Sequence, residues 1–161
     1  MFQKFENYSL YHYFALSETI NSLKPMQKTI TLSTTRHNQL IDITQDVATV
    51  VSKSNINTGL VNIYVQGATA GIMIQENWDE SVQTDVINWL RKMIPQGVWL
   101  HDAQDNNGDA HLKAGFVGPS ETIPIIDGKM GLSTWQNIFL CEFDGPRKER
   151  RVVVTLYDSE K

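Results

Sequence analysis

Cysteine is nearly absent from this chain. Cys141 is the only one among 161 residues, and a single thiol can form neither an internal disulfide nor a thiolate cage for a metal. Cys141 lies in the apolar run 138–141, which favours a buried thiol that packs as a small hydrophobic group over a reactive thiol. The scarcity of cysteine fits a reducing, cytoplasmic setting.

The chain also lacks an excess of positive charge and long apolar runs. Lysine and arginine total 14 against 18 acidic residues, for a formal net charge of -4, so there is no electrostatic footprint for a nucleic-acid backbone. No apolar run approaches the roughly 18 residues that span a bilayer. The first 25 residues contain no small-residue cleavage site of a secretory signal. We expect neither nucleic acid nor a membrane as a partner.

Length and patterning predict one domain behind an N-terminal extension. A chain of 161 residues with 41% apolar residues is long enough for one core and too short for two ordinary domains. Regular patterning begins at Met26, which predicts an extension over residues 1–25 and a domain over residues 26–161. The aromatic residues of the extension suggest a short helix that docks on the domain or on a neighbouring subunit, and a partly disordered tail is the alternative.

The first half of the domain is predicted to contain two strands, one helix and two further strands. Ile30 and Leu32 alternate with polar residues, and a second strand pattern follows at 40–43, which predicts two paired antiparallel strands. Thr44 is predicted to cap a helix that turns valines to one side. The β-branched run 60–66 predicts a central strand, and 72–74 predicts another.

The second half contains a long helix and further hairpins. Apolar residues at three- and four-residue spacing predict a helix over 79–93, and residues 110–117 predict a short one. Asp127 and Gly128 predict a type I′ turn between strands 122–126 and 129–132. Strands at 135–143 and 151–157 flank a turn at 144–147. We therefore expect an α+β fold with a largely antiparallel sheet, joined mostly by hairpins, and two to three helices.

The polar segment 101–113 is the first candidate for chemistry. It holds two imidazoles, three carboxylates and a lysine, and such groups bind divalent cations. His101, His111 and Asp109 are the candidate ligands, and a solvated turn is the alternative. An EF-hand is excluded, because glycine occupies the fourth position of the loop and Phe116 the twelfth.

Four further side chains are candidates for binding or catalysis. Glu76 follows a predicted strand, where loops often present functional groups. Thr69 lies among small residues that let a ligand approach the backbone. Lys113 and Arg147 are cations suited to an anionic ligand, although for Arg147 a solvated basic face with Lys148, Arg150 and Arg151 is the alternative. No G-x-S-x-G elbow indicates a hydrolase.

The order of several motifs resembles one known family. Residues 110–114, 120–124, Gly128, 134–136 and 142–147, together with Thr69-Ala70-Gly71 and Glu76-Asn77, resemble the YjbQ family, known as secondary thiamine-phosphate synthase enzymes. The resemblance covers residues 26 to about 157. It implies a small α+β domain with a bifurcated, partly antiparallel sheet that assembles as a homotrimer.

The resemblance also implies an activity. Family members are credited with a weak, secondary activity that joins a pyrimidine diphosphate to a thiazole phosphate, which releases pyrophosphate and gives thiamine phosphate. Our own hypothesis for these positions assigns catalytic roles to His111, Lys113 and Glu76 and ligand contacts to Thr69, Ser120 and Arg147. It places a divalent ion, Mg or Zn, at His101 and His111, with Asp109 or Glu76 as an oxygen ligand. A diphosphate leaving group would be stabilised by that cation and by basic side chains.

Two positions depart from the family pattern. Gly67 stands where members typically have histidine, which predicts the loss of one metal or catalytic ligand. Ser133 stands where glycine usually precedes Thr-Trp-Gln. The leading hypothesis is therefore a trimeric transferase acting on phosphorylated small molecules, and the competing one is a non-catalytic trimer that binds metal or phosphate.

Overall fold

The computed structural model describes residues 25–159, which form eight strands and four helices. In chain order they are β1 Met26–Leu32, β2 Gln39–Asp42, α1 Thr44–Ser52, β3 Gly59–Gln66, β4 Ala70–Glu76, α2 Glu80–Met93, α3 Asp102–Asp105, α4 Gly108–Val117, β5 Ser120–Ile126, β6 Lys129–Met130, β7 Gln136–Glu142 and β8 Arg150–Asp158. The predicted extension 1–25 lies almost wholly outside the described residues and stays a prediction. None of the helices in residues 25–159 is long and apolar enough to cross a membrane.

The strands form two separate antiparallel sheets. One has the order β1-β8-β3-β5-β6 and the other the order β2-β7-β4, and every pair is antiparallel. The predicted α+β fold with a divided antiparallel sheet is thus confirmed. The predicted central strand is also confirmed, because β3 lies in the middle of the five-stranded sheet.

The prediction that hairpins join most strands was wrong. Consecutive strands usually enter different sheets: β1 pairs with β8 while β2 pairs with β7, and β7 and β8 do not pair with each other. Within the described chain, only β5 and β6 are consecutive strands that pair. Their turn is as predicted, since Asp127 and Gly128 have φ values of 50° and 73° and a type I′ turn needs both positive.

The two sheets and the helices enclose two apolar cores. The first core lies between the sheets and includes Val61 and Ile63 of β3, Ile72 of β4 and Leu140 of β7. The second packs the other face of the three-stranded sheet against α2 and α4, through Leu90 and neighbours. Side chains alternate across a strand, so β7 contributes to both cores. The five-stranded sheet, the three-stranded sheet and the helices α2 and α4 therefore form three layers, while α1 packs into the first core.

Cys141 belongs to the second core. It is fully buried in β7, and burial raises the pKa of its thiol from 9.0 to about 12. A protonated thiol is a poor nucleophile and metal ligand. The prediction that Cys141 packs as a small hydrophobic group is confirmed.

The start of α1 differs from the prediction. Thr44 is the first residue of the helix. Ile43 occupies the N-cap position, and its side chain forms no capping hydrogen bond. The Thr44 hydroxyl instead accepts a hydrogen bond from Ile138 N at 2.8 Å. Asp42 Oδ1 accepts the Thr44 amide proton at 2.8 Å. The side-chain acceptor at the start of the helix is therefore Asp42, two residues before the predicted Thr44.

Candidate functional site

Buried polar side chains collect at one end of the layered fold. The described chain has eight buried polar or charged residues, and all except Thr155 are joined there by hydrogen bonds within two groups around the turn 144–147. We call these seven the buried polar cluster: Thr34, Asn38, Thr69, Asp109, Lys113, Glu142 and Arg150. Burying charged groups is costly unless they are paired. Such concentration marks this end as the candidate site.

Strand ends and tight connections bring the cluster together. Glu142 is the last residue of β7 and pairs with Ala70, the first residue of β4. Thr69 immediately precedes β4, and its carbonyl accepts a hydrogen bond from Phe143 N at 3.1 Å. Arg150 is the first residue of β8, in the other sheet. The cluster therefore joins the two sheets where their strands begin and end.

Glu142 and Arg150 form the centre of one half. Arg150 Nε donates to Glu142 Oε2 at 2.7 Å, and Nη2 donates to Oε1 at 2.6 Å. Thr34 Oγ1 donates to Oε2 at 3.1 Å. The amides of Phe143 and Asp144 donate to Oε1 at 3.0 and 2.9 Å. This fully bonded carboxylate compensates the arginine charge and holds the guanidinium in one orientation.

Gly67 makes room for that guanidinium. A Cβ atom at residue 67 would lie 2.6 Å from Arg150 Nη1, closer than atoms in van der Waals contact approach. Arg150 Nη2 also donates to Thr69 Oγ1 at 2.9 Å, so the guanidinium cannot turn away without breaking buried bonds. The missing histidine ligand stays a prediction. The structure adds a different reason for glycine here, namely the space that Arg150 occupies.

Lys113 and Asp109 form the other half of the cluster. Both lie on α4, one turn apart, and each is 1% exposed. Lys113 Nζ donates to Asp109 Oδ2 at 2.6 Å and to Asn38 Oδ1 at 3.4 Å. The sequence predicted a helix over 110–117, which includes Lys113, and a polar loop at Asp109; both residues are buried in the helix. The positive charge of Lys113 is thus balanced by Asp109 on the same helix.

The turn 144–147 connects the two halves and carries an exposed cation. Asp144 Oδ2 accepts from Asn107 Nδ2 at 3.1 Å and from the Arg147 guanidinium. Arg147 N donates to Thr34 Oγ1 at 2.8 Å. A Cβ at Gly145 would lie 2.1 Å from Arg36 O, so this position requires glycine. The Arg147 side chain is 46% exposed, so it presents a cation to solvent at the rim.

Three buried polar atoms next to these groups lack a hydrogen-bond partner within residues 25–159. They are His37 Nε2, Asn107 Oδ1 and Asp109 Oδ1. His37 precedes Asn38 and accepts from Gly145 N at 3.1 Å through its carbonyl, so it lies beside the turn. Buried polar atoms normally have partners. Their concentration here indicates capacity for further polar contacts.

His101 and His111 meet, but the described residues do not complete a metal site within one chain. Their ring centroids lie 4.9 Å apart, edge to face, and His101 is exposed. The third candidate, Asp109, directs Oδ2 to Lys113. Across residues 25–159 no three His, Cys, Asp or Glu side chains are grouped to hold a metal. The donor set does not fit a closed site in this chain.

Glu76 lies apart from the cluster, and Ser120 forms no side-chain hydrogen bond with any of its members. Glu76 ends β4, paired with Gln136, whereas Ala70 at the other end of β4 pairs with Glu142. Six residues of strand at about 3.3 Å each separate these ends by roughly 20 Å. Ser120 is exposed at the start of β5, paired with Tyr64. One chain therefore does not bring Glu76 together with His111, Lys113 and Thr69.

Sequence reasoning missed four members of the cluster, Thr34, Asn38, Glu142 and Arg150. Arg150 was grouped with its basic neighbours as part of a solvated face, yet it is 8% exposed. Glu142 could have indicated a buried charge, because it follows the apolar run 138–141 directly, with no turn residue between them. Its buried counter-charge could not be identified from spacing alone.

Comparisons with known proteins agree on one family. The family model described as UPF0047 protein YjbQ-like matches residues 28–159. The UPF0047 protein MJ1081 of Methanocaldococcus jannaschii is 44% identical over 79% of this chain and 91% of its own length. YugU of Bacillus subtilis is 38% identical over 76% and 92%. A crystal structure of a YbjQ-like protein of unknown function from Sulfolobus solfataricus superposes with a TM-score of 0.82, at 37% identity over 85% of this chain and 99% of that one.

Proposed function

The chain belongs to the YjbQ-like UPF0047 family, and we propose that it is a cytoplasmic, homotrimeric transferase of the thiamine-phosphate synthase type that acts on phosphorylated small molecules. The single observation that carries the proposal is the buried polar cluster with Arg147 exposed at its rim. A folded chain that buries two cations, Lys113 and Arg150, with two carboxylates at one edge has arranged an electrostatic site there.

Arg147 is the proposed phosphate-binding group. Of the three cations in this region, Lys113 is paired with Asp109 and Arg150 with Glu142 inside the fold. Arg147 is held from one side by Asp144 and remains 46% exposed. A guanidinium fixed in this way can donate hydrogen bonds to phosphate oxygens through its remaining N–H groups. Thr69 supports the site by holding Arg150.

His111 is the proposed proton-exchanging group. It lies on α4 between Asp109 and Lys113 in sequence and is partly exposed. An imidazole ring can both donate and accept a proton through its two nitrogens, which suits transfer of a proton to a departing pyrophosphate. Lys113, paired with Asp109 on the same helix, acts here as a positioning residue that holds α4 to Asn38. Glu76 would take part only if assembly brought it from a neighbouring subunit.

The direct test is complementation of a bacterium that lacks thiamine-phosphate synthase, together with pyrophosphate release from the purified protein given a pyrimidine diphosphate and a thiazole phosphate. Arg147→Gln should raise KM for the phosphorylated substrate about 10-fold or more, because a charge-assisted hydrogen bond contributes about 1.5–3 kcal/mol. Arg151→Gln is the matched control, since Arg151 is 60% exposed and pairs only with Glu149. No growth at high expression and no pyrophosphate release would reject this substrate assignment.

A second candidate is a non-catalytic trimer that binds phosphate or a divalent metal. The mutual neutralisation of Lys113 and Asp109 favours it, because a buried, balanced pair suits a static site. Metal content after purification without added ions, and thermal shift against inorganic phosphate, test this candidate. Stoichiometric metal that is lost in His101→Ala would support a metal site completed by assembly. Phosphate stabilisation without turnover would support binding alone.

A further inference from the structure

We propose that the groove lined by Glu76, Trp78 and Trp135, which we call the tryptophan groove, binds an organic cation of the quaternary or alkylated ammonium type. The groove lies at the Glu76 end of β4, roughly 20 Å along the strand from the buried polar cluster. Because it uses none of the residues proposed above for phosphate binding, the inference does not depend on the proposed transferase activity.

The shape of the groove suits a small ligand. The open groove has a volume of about 320 Å³, which is near the lower end of the range for small-molecule sites. The rings of Trp78 and Trp135 meet edge to face, with centroids 4.6 Å apart and planes at 83°. In that geometry one ring face stays uncovered by its partner. The two residues are 69% and 50% exposed, so their faces are accessible from solvent.

Hydrogen bonds hold the two tryptophan-bearing segments together. Asn77 N, next to Trp78, donates to the carbonyl of Trp135 at 3.3 Å. Asp42 Oδ2 accepts from Asn77 Nδ2 and from Asn137 Nδ2, both at 2.7 Å. One carboxylate thus joins both walls. A site whose walls are already fixed loses less conformational entropy when a ligand binds.

On the Trp135 side, a local turn fixes the backbone. Ser133 N donates to Gln136 Oε1 at 2.9 Å, and Gln136 N donates to Ser133 O at 3.1 Å. Ser133, which departs from the family pattern, therefore closes the turn that presents Trp135. Its exposed position accommodates the hydroxyl without a clash.

The charge around the groove selects cations. The Glu76 carboxylate has no hydrogen bond or ion pair with any residue in 25–159; only its backbone N donates, to Gln75 Oε1. Asp79 and Glu80 follow Trp78 directly, and neither 54–90 nor 130–146 contains a lysine or arginine. Ring faces carry negative electrostatic potential and attract cations within about 6 Å. An exposed tryptophan pair beside an unpaired carboxylate, on segments that contain no lysine or arginine, is suited to an alkylammonium group.

Titration with choline chloride tests the inference, with tryptophan fluorescence and isothermal calorimetry as readouts and ionic strength held constant with sodium chloride. The matched control ligand is 3,3-dimethylbutan-1-ol, in which carbon replaces the charged nitrogen. Choline is expected to bind at least 10-fold more tightly than the alcohol. Equal binding of the two ligands, or no binding of choline, would overturn the proposal.

Variants locate the site. Trp78→Leu and Trp135→Leu should each weaken choline binding about 2- to 30-fold, the range that corresponds to a cation–π contact of 0.5–2 kcal/mol. Glu76→Gln should weaken it and reduce its dependence on salt. Trp89→Leu is the control, because Trp89 is 49% exposed but packs on Phe116 at the surface of α2. Unchanged affinity in folded Trp78→Leu and Glu76→Gln, or an equal loss in Trp89→Leu, would reject the groove as the site.

Discussion

Arg150 and Glu142 form a two-bonded, buried ion pair that bridges the two sheets, with Nε 2.7 Å from Oε2 and Nη2 2.6 Å from Oε1. Each residue stands at the end of a strand, in different sheets. Because Glu142 also accepts bonds from Thr34 and two backbone amides, the pair fixes the position of the turn that carries Arg147. The buried pair and the exposed cation are therefore parts of one arrangement.

Removing the carboxylate charge should destabilise the fold strongly. In Glu142→Gln, Arg150 would remain buried without its counter-charge, and we expect a loss of about 3–5 kcal/mol in the free energy of unfolding. Urea denaturation measures it. Glu149→Gln is the matched control, because Glu149 pairs with Arg151 at the surface and should change stability by less than about 1 kcal/mol. Similar losses in both variants would contradict the importance of the buried pair.

Glycine-to-alanine changes should have opposite effects at two positions. At Gly67 the new Cβ would meet Arg150 Nη1 at 2.6 Å, so Gly67→Ala should cost about 1–3 kcal/mol by overpacking. At Gly115, within α4, nothing lies within 4 Å of the new Cβ. Gly115→Ala should therefore stabilise the helix by up to about 1 kcal/mol. Thermal or urea unfolding compares them, and a neutral Gly67→Ala would show that Arg150 can shift freely.

The Cys141 thiol should be inert while the protein is folded. Burial raises its pKa to about 12, so a thiol reagent at pH 8 should label one equivalent only after urea is added. Above pH 9.0, the ordinary value, the unfolded chain loses this proton and the folded chain retains it. Stability should consequently fall as pH rises from about 9 toward 12. Rapid labelling without denaturant would contradict a fully buried site.

Asp42 should couple α1 to the tryptophan groove. One oxygen accepts the Thr44 amide proton and the other accepts from Asn77 and Asn137. Asp42→Ala should cost about 0.5–2 kcal/mol through loss of the helix-start acceptor, and it should also weaken choline binding. Asp46→Ala, in the first turn of the same helix, is the control for the acidic charge. Unaltered stability and unaltered binding in Asp42→Ala would exclude this coupling.

Several elements could be predicted because their causes are local. The period of apolar residues identified α2, the β-branched run identified β3 as a central strand, and Asp127-Gly128 identified the turn between β5 and β6. Each depends on side-chain spacing or on the φ values of two adjacent residues. The burial of Cys141 followed in the same way from its apolar neighbours.

Pairing partners and the buried polar cluster could not be predicted in this way. Local spacing cannot tell whether β1 pairs with β2 or with β8, which lies more than 100 residues away. Arg150 looked like one of several surface cations until the fold placed Glu142 beside it. Lys113 was predicted to meet an anionic ligand, but the fold buries it beside Asn38. Asn38 is 75 residues from Lys113, whereas Glu142 is only 8 residues from Arg150 but lies in the other sheet, so neither contact follows from local spacing.

The sequence by itself determined the α+β class, the single-domain size and the family, since these depend on composition, periodicity and motif order. Only the tertiary structure decided which charges are buried together, why residue 67 has no side chain, and that Glu76 lies with two tryptophans at the far end of β4 from Glu142. The physical reason is that the energy of a charge or an exposed ring depends on its neighbours in space, and those neighbours are set by long-range strand pairing.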